Sequence, residues 1–370
     1  MGPRDRLPSL SLVANFRARV GRLVSTPQWA WTLALWCVLF SLFFAFPTYT
    51  QIDHATFEVV HHKGEVLFDQ DNYGEQDRGF LFTFRVLVPL VGGMLNLGTA
   101  GYFVLQAVVG FLLFVVVARL VERETSDRVT ATFLTLGLAL TYAGSVAFLE
   151  VRANFDGTAL LFLAVAALAV KPLGVFLATF AATWTDERAI FAASLVLLFH
   201  ALKQSSTASA VALAVVVHAI LRFVLTQIYD LTDPLLIGGH AYFTDQFNNL
   251  PLGLWTGLES LWLLVGAACV VLWHHRQKYA LMSYFFFMAG VTALAIAVID
   301  VTRSMIYLLP AVFVAVRILS RTSIPDLRKL AGYALALSLV WPVYYVGGNH
   351  SAWWAYPLPL QAVRYVLGLY

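Results

Sequence analysis

Charge is the scarcest property of this sequence. Only 12% of the 370 residues are Asp, Glu, Lys or Arg, about half the share usual in a soluble domain. That is too little to keep a chain that is 60% apolar dispersed in water, which excludes a soluble globular protein. Cysteine is nearly absent. Cys37 and Cys269 lie in separate apolar blocks with no CxxC spacing, which excludes a disulfide framework and leaves both as small packing residues. The net charge of +3 is scattered over loops and leaves no nucleic-acid footprint. No small-residue cleavage site follows the first apolar block. The basic stretch with Arg4, Arg6, Arg17, Arg19 and Arg22, followed by Trp29 to Phe46, therefore reads as a signal anchor. Internal repeats and low-complexity tracts are lacking too, which counts against an inverted-repeat transporter.

What the chain has instead is a series of apolar blocks of roughly 17–21 residues, the length that crosses a hydrocarbon core of about 30 Å. Lipid offers no partner to backbone polar groups, so such blocks must be helices. The expected fold is all-α, a polytopic transmembrane bundle of about 11 spans, with 9–12 as the range. The expected spans are 29–47, 87–119 (an amphipathic lead-in and a span), 129–149, 156–171, 173–184, 187–202, 208–226, 254–273, 279–299, 303–319 and 330–346. Three regions follow: a basic cytoplasmic segment 1–28, the bundle 29–346 with long loops 48–86 and 227–253, and an outer-face segment 347–370.

Basic residues set the orientation. With the N-terminus in the cytoplasm, 16 of the 24 Lys and Arg residues fall inside, among them Arg119, Arg123, Arg128, Lys171, Lys203, Arg276, Arg317 and Lys329. Acidic residues divide the other way, 15 of the 21 lying in outer segments, with Glu259 near an outer helix end. Both long loops and nearly every unusual residue then face outward, so the outer face carries the function.

Asp53 follows the first span in Gln51-Ile-Asp-His54. A carboxylate at the lip of the bilayer is partly desolvated and suited to act as a base. His54, His61 and His62 stand close by, but this spacing matches no common ligand pattern, so no metal is expected. Four arginines recur at outer helix ends against the positive-inside bias: Arg85, Arg152, Arg188 and Arg303. Local partners are at hand in Glu150, Asp156, Asp186, Glu187 and Asp300. Yet four such arginines in short loops suggest a shared anion, and the planar guanidinium fork suits phosphate. His240 and Tyr242 in the second long loop, and His350 in the C-terminal segment, are further candidates for substrate contact. The aromatic residues around them also fit an interfacial belt.

In order along the chain come Asp53 after the first helix, Arg85-Val-Leu-Val-Pro-Leu90, Asn154-Phe-Asp156, Asp186-Glu-Arg188, and Asp300-Val-Thr-Arg303 before Pro310. This order resembles bacterial membrane proteins of the GT-C glycosyltransferase type, over about residues 29–320. The resemblance implies a polyprenyl-phosphate-linked sugar as donor, inverting transfer on the outer face of a bacterial plasma (inner) membrane, Asp53 as base, and Arg188 or Arg303 on the donor phosphate. No Asp-x-Asp pair stands at Asp53 and no large soluble C-terminal domain follows, so neither a divalent metal nor a particular acceptor is implied. Two alternatives share the outer arginines: a transporter or flippase of an anionic lipid-linked substrate, and a non-catalytic subunit of a cell-envelope polysaccharide assembly.

Overall fold

The computed structural model describes residues 25–47, 52–69, 83–203, 205–231, 248–298, 300–341, 343–347, 350–353 and 355–369. The basic segment up to residue 24 lies outside the described residues, as do His240 and Tyr242. His350 is placed by its backbone only.

The architecture is a helix bundle, as the apolar blocks require. The helices are α1 Trp29–Phe44, α2 His54–Val66, α3 Leu87–Met94, α4 Thr99–Thr125, α5 Arg128–Ala139, α6 Tyr142–Leu149, α7 Asp156–Leu168 and α8 Pro172–Thr185. Then come α9 Arg188–Ala201, α10 Ser205–Tyr229, α11 Leu250–Leu258, α12 Trp262–His274, α13 Lys278–Ile296, α14 Val301–Met305, α15 Leu309–Ser320, α16 Ile324–Val340 and α17 Leu358–Val366. Five helical stretches are long and apolar enough to cross a membrane, or six if the bent pair α5 and α6 is one span. Shorter apolar helices are α1, α7, α8 and α9. These features fit an integral multi-pass membrane protein.

Helix α16 stops at Val340, earlier than the expected 346. Trp341 precedes Pro342, and a residue before proline is pushed out of the helical region. The chain turns instead into a hairpin, β1 Tyr344–Gly347 paired antiparallel with β2 His350–Trp353. That hairpin lies against α14, where the Val346 amide donates to Thr302 Oγ1 at 2.9 Å.

At the centre runs the stretch Val301–Ser320, buried throughout. Its neighbours include α4, α7, α9, α12 and α16. Ion pairs mark both ends of the bundle. At the lower end Glu124 accepts from Arg317 Nε and Nη2, both at 2.8 Å. There Arg328 meets Asp127 at 2.9 Å, and Arg321 donates to the Leu202 carbonyl at 2.9 Å. The upper end gathers α2 and the turns 150–155, 186–187 and 300.

Candidate functional site

Asp156 is the centre of the upper end. Two non-glycine residues just before it, Ala153 and Phe155, both have φ of 55°. Left-handed backbone costs such residues about 1–2 kcal/mol each. The turn is held in this shape by packing: the Phe155 ring stands 5.4 Å from Tyr102 and 6.2 Å from Phe57. Gly157 completes the arrangement. A Cβ there would lie 2.3 Å from the Ala147 Cα, so only glycine lets α7 begin flush against α6 and carry Asp156 into the interior.

The Asp156 carboxylate binds three partners, from α9, α14 and the 3₁₀ turn Ile306–Leu308. Oδ1 accepts from Arg188 Nη2 at 3.1 Å and from the Tyr307 hydroxyl at 3.0 Å, and Oδ2 accepts from Arg303 Nε. Asp186 takes Arg188 in a two-pronged pair, Nε at 2.8 Å and Nη2 at 2.7 Å. Arg85 Nε lies 3.4 Å from the same carboxylate and Arg303 Nη2 3.9 Å. Glu187 meets Arg85 Nη2 at 3.2 Å, and Asp300 lies 3.6 Å from Arg303 and accepts from the Tyr345 hydroxyl. Arg188 also donates to Ser304 Oγ at 3.1 Å, with the Tyr307 ring 5.2 Å away. Arg85, Arg188 and Arg303, far apart in sequence, thus converge on one carboxylate, Asp186.

They do not converge as bare cations. The forks of Arg188 and Arg303 are filled by Asp156 and Asp186, and three guanidinium groups face four carboxylates. Burial works to raise the Asp186 carboxyl, but Arg188 and Arg85 outweigh it and hold it well below the usual carboxylate range. Arg85 lies 3.2–3.4 Å from Asp186 and Glu187. Arg152 differs from all three. Its side chain is exposed and makes no ion pair or hydrogen bond among the described residues.

Asp53 stands next to this cluster through the turn 150–155. Its amide donates to the Val151 carbonyl at 3.0 Å. Its half-buried carboxylate caps α2, accepting from the Thr56 amide at 3.1 Å and the Thr56 hydroxyl at 2.7 Å. His54, the first residue of α2, is exposed. At the other end of α2, Lys63 is fully buried and donates to the Thr83 carbonyl at 2.8 Å. Burial and the nearby Arg85 push its ammonium well below the usual lysine range. The helix lies close on α3, where a Cβ on Gly64 would come 2.5 Å from the Pro89 carbonyl oxygen. One short helix therefore ties Asp53, Lys63 and Arg85 to the same end of the bundle.

No family model, curated protein or solved structure matches this chain.

Its chemistry must be read from the site alone. Glu150, treated in the sequence only as a partner for Arg152, is buried, with its Oε1 accepting from the Arg152 amide at 2.7 Å. Burial raises its carboxyl; Arg303 opposes that and Asp156 reinforces it. Tyr307, Ser304 and Lys63 carry no signal of their own in the sequence, since each joins the site only through residues distant along the chain. Gly64 beside Lys63 was the one available hint of close helix approach. Glu259 caps the end of α11. It lies inside the Leu250–His274 span, fully buried. Among the described residues no group of three or more His, Cys, Asp or Glu is placed to hold a metal.

Proposed function

We propose that the protein transfers a sugar from a polyprenyl-phosphate donor to an acceptor at the non-cytoplasmic face of a bacterial plasma membrane, by a single inverting displacement. In this reading the eleven helical segments expected from the sequence cross the bilayer and the upper end of the bundle is the outer one. The observation that carries it is the joining of Asp53 to the arginine cluster through one turn. The Val151 carbonyl holds the Asp53 amide, and the adjacent Arg152 presents a guanidinium with no partner among the described residues.

The roles divide by how tightly each group is held. Asp53, half-buried, accepts the proton of the acceptor nucleophile. Arg152 and Arg85 meet the donor phosphate, and the bond from the anomeric carbon to the phosphate oxygen breaks as the acceptor bond forms. Arg188 and Arg303, locked on Asp156 and Asp186, hold the turns around Arg85 and Arg152 in place. His54 and Asp300 complete the acceptor side.

The test is a transfer assay on purified protein with polyprenyl-phosphate sugars. Asp53→Asn should lower turnover by about 10²–10⁴ and leave folding intact, because asparagine caps a helix as well as aspartate. Arg152→Gln should weaken donor binding while keeping the fold. Wild-type turnover by Asp53→Asn would move the base elsewhere. No transfer by the wild type with any donor would favour the second reading, an anionic-lipid transporter. That reading draws on Glu259, an acid inside a span, where carriers place coupling groups.

A further inference from the structure

Two spans of this bundle are broken, and the breaks meet. Helices α5 and α6 are bent by 68° across Leu140–Thr141. The Leu250–His274 span is interrupted by a 3₁₀ turn, Glu259–Leu261, at whose start Glu259 has φ of 47°. The Glu259 side chain reaches across and its Oε1 accepts the Tyr142 amide at 2.9 Å, in the first turn of α6. Thr141 caps the same turn through Gly144 at 3.4 Å. The second oxygen of Glu259, Oε2, is buried without a hydrogen-bond partner among the described residues.

A carboxylate in this position lacks a counter-charge. A helix N-terminus contributes only about half a positive charge, while an uncompensated ion inside a membrane protein is costly. No Lys, Arg or His pairs with Glu259 among the described residues. The elements packed on its turn bring no charge to it. Helix α11 has no titratable side chain, and α6 brings only Tyr142, whose amide is the donor already named. Helix α5 has Arg128, bound to Glu122 at the lower end. On α16, Arg328 is bound to Asp127, Lys329 to Asp326, and Tyr333 is exposed. Helix α12 carries Cys269 in its middle and His274 at its lower end. Lone among acids, Glu259 makes no site for a divalent metal. The hydroxyl of Ser260, the next residue, is bonded to that of Ser338 at 2.5 Å.

We propose that Glu259 Oε2 takes up a single monovalent cation, a proton or a sodium ion, at the junction of the two broken spans. Occupancy neutralises the junction and holds the breaks together. Loss of the cation leaves a bare carboxylate between them. The site is placed to communicate upward, because α6 runs from the junction to Glu150 and α11 packs on α14, which carries Arg303.

The experiment compares purified wild type with Glu259→Gln, which keeps the acceptor for the Tyr142 amide and has no charge. Unfolding midpoints are measured over a pH series in choline chloride, then with sodium chloride added at the alkaline end. For a proton site, the wild type should lose about 3–5 °C per pH unit relative to the variant over the range in which the unfolded chain has released this proton and the folded protein still holds it, and sodium should do nothing that choline does not. For a sodium site, sodium alone should restore the loss. A difference between wild type and variant that stays flat with both pH and sodium overturns the proposal. Should Glu259→Gln fail to fold, ¹³C-glutamate-labelled protein in a Glu150→Gln background supplies the readout. Its infrared spectrum must then show a protonated carboxyl that disappears with rising pH, or a carboxylate band that shifts on sodium addition. Neither change also overturns it.

Discussion

Removing the charge of Asp156 tests the account of the upper cluster most directly. Asp156→Asn keeps the size and one acceptor oxygen, so Tyr307 and one guanidinium retain a bond, but its amide group turns a donor towards the other. At the 3.1 Å separation of Arg188 and Asp156, with an effective dielectric constant of about 20, the attraction lost is about 5 kcal/mol before solvation is counted. Breaking one side of a buried ion network nets about 3–5 kcal/mol, because Arg188 is then left with Asp186 and Arg303 with its longer contacts to Asp186 and Asp300. At roughly 2–4 °C per kcal/mol, the unfolding midpoint should drop by on the order of 10 °C. Asp300→Asn is the control, since its side chain is 31% exposed and water can replace what is lost. Adding Arg303→Met to Asp156→Asn should recover part of the loss, because it withdraws the orphaned charge. A drop for Asp156→Asn no larger than for Asp300→Asn would refute the view that this carboxylate holds the upper end together.

Glu150 predicts a pH effect of known sign. Its folded-state value is raised by burial, so its stabilisation is complete below the usual glutamate value and is lost as pH rises through the raised one. Glu150→Gln should flatten that decline in a pH series of unfolding midpoints, and an unchanged slope would exclude the residue as its source. Gly64→Ala places a methyl 2.5 Å from the Pro89 carbonyl and should destabilise by about 1–3 kcal/mol through overpacking, measured by chemical or thermal unfolding. In a cysteine-free background, an impermeant thiol reagent applied to intact cells should label cysteines at Glu65 and His240 but not at Arg276. Labelling at Arg276 alone would invert the orientation.

The helices were legible in the sequence because lipid forces long apolar blocks into one conformation. The grouping of Arg85, Arg188 and Arg303 was legible for a related reason: an arginine beside hydrocarbon needs a partner. Which partner it takes was not. Asp186 lies two residues from Arg188 and fits a local pair, whereas Asp156 binds Arg303 across 147 residues, a closure that only packing decides. Lys63 reads in His-His-Lys-Gly-Glu as a solvated loop lysine, and its burial follows from the tight seat of Gly64 on α3. The break at Glu259 was not legible, because Leu-Pro-Leu-Gly-Leu before it looks like a loop leading into a helix. In the structure this stretch is already helix, and the break follows it. The early end of the last span was signalled by Trp341-Pro342, against the apolar run that continues to Val346.

The buried stretch Val301–Ser320 also constrains how the chain is made. It carries Arg303 near one end and Arg317 near the other, and a segment so charged would insert poorly by itself. Its partners Asp156 and Glu124 both precede it in the chain. So do α4, α7 and α9, which flank it. When the ribosome reaches residue 301, the slot that receives this segment has already been synthesised. Helix α16 follows at once, and the β1 strand that lies against α14 comes last.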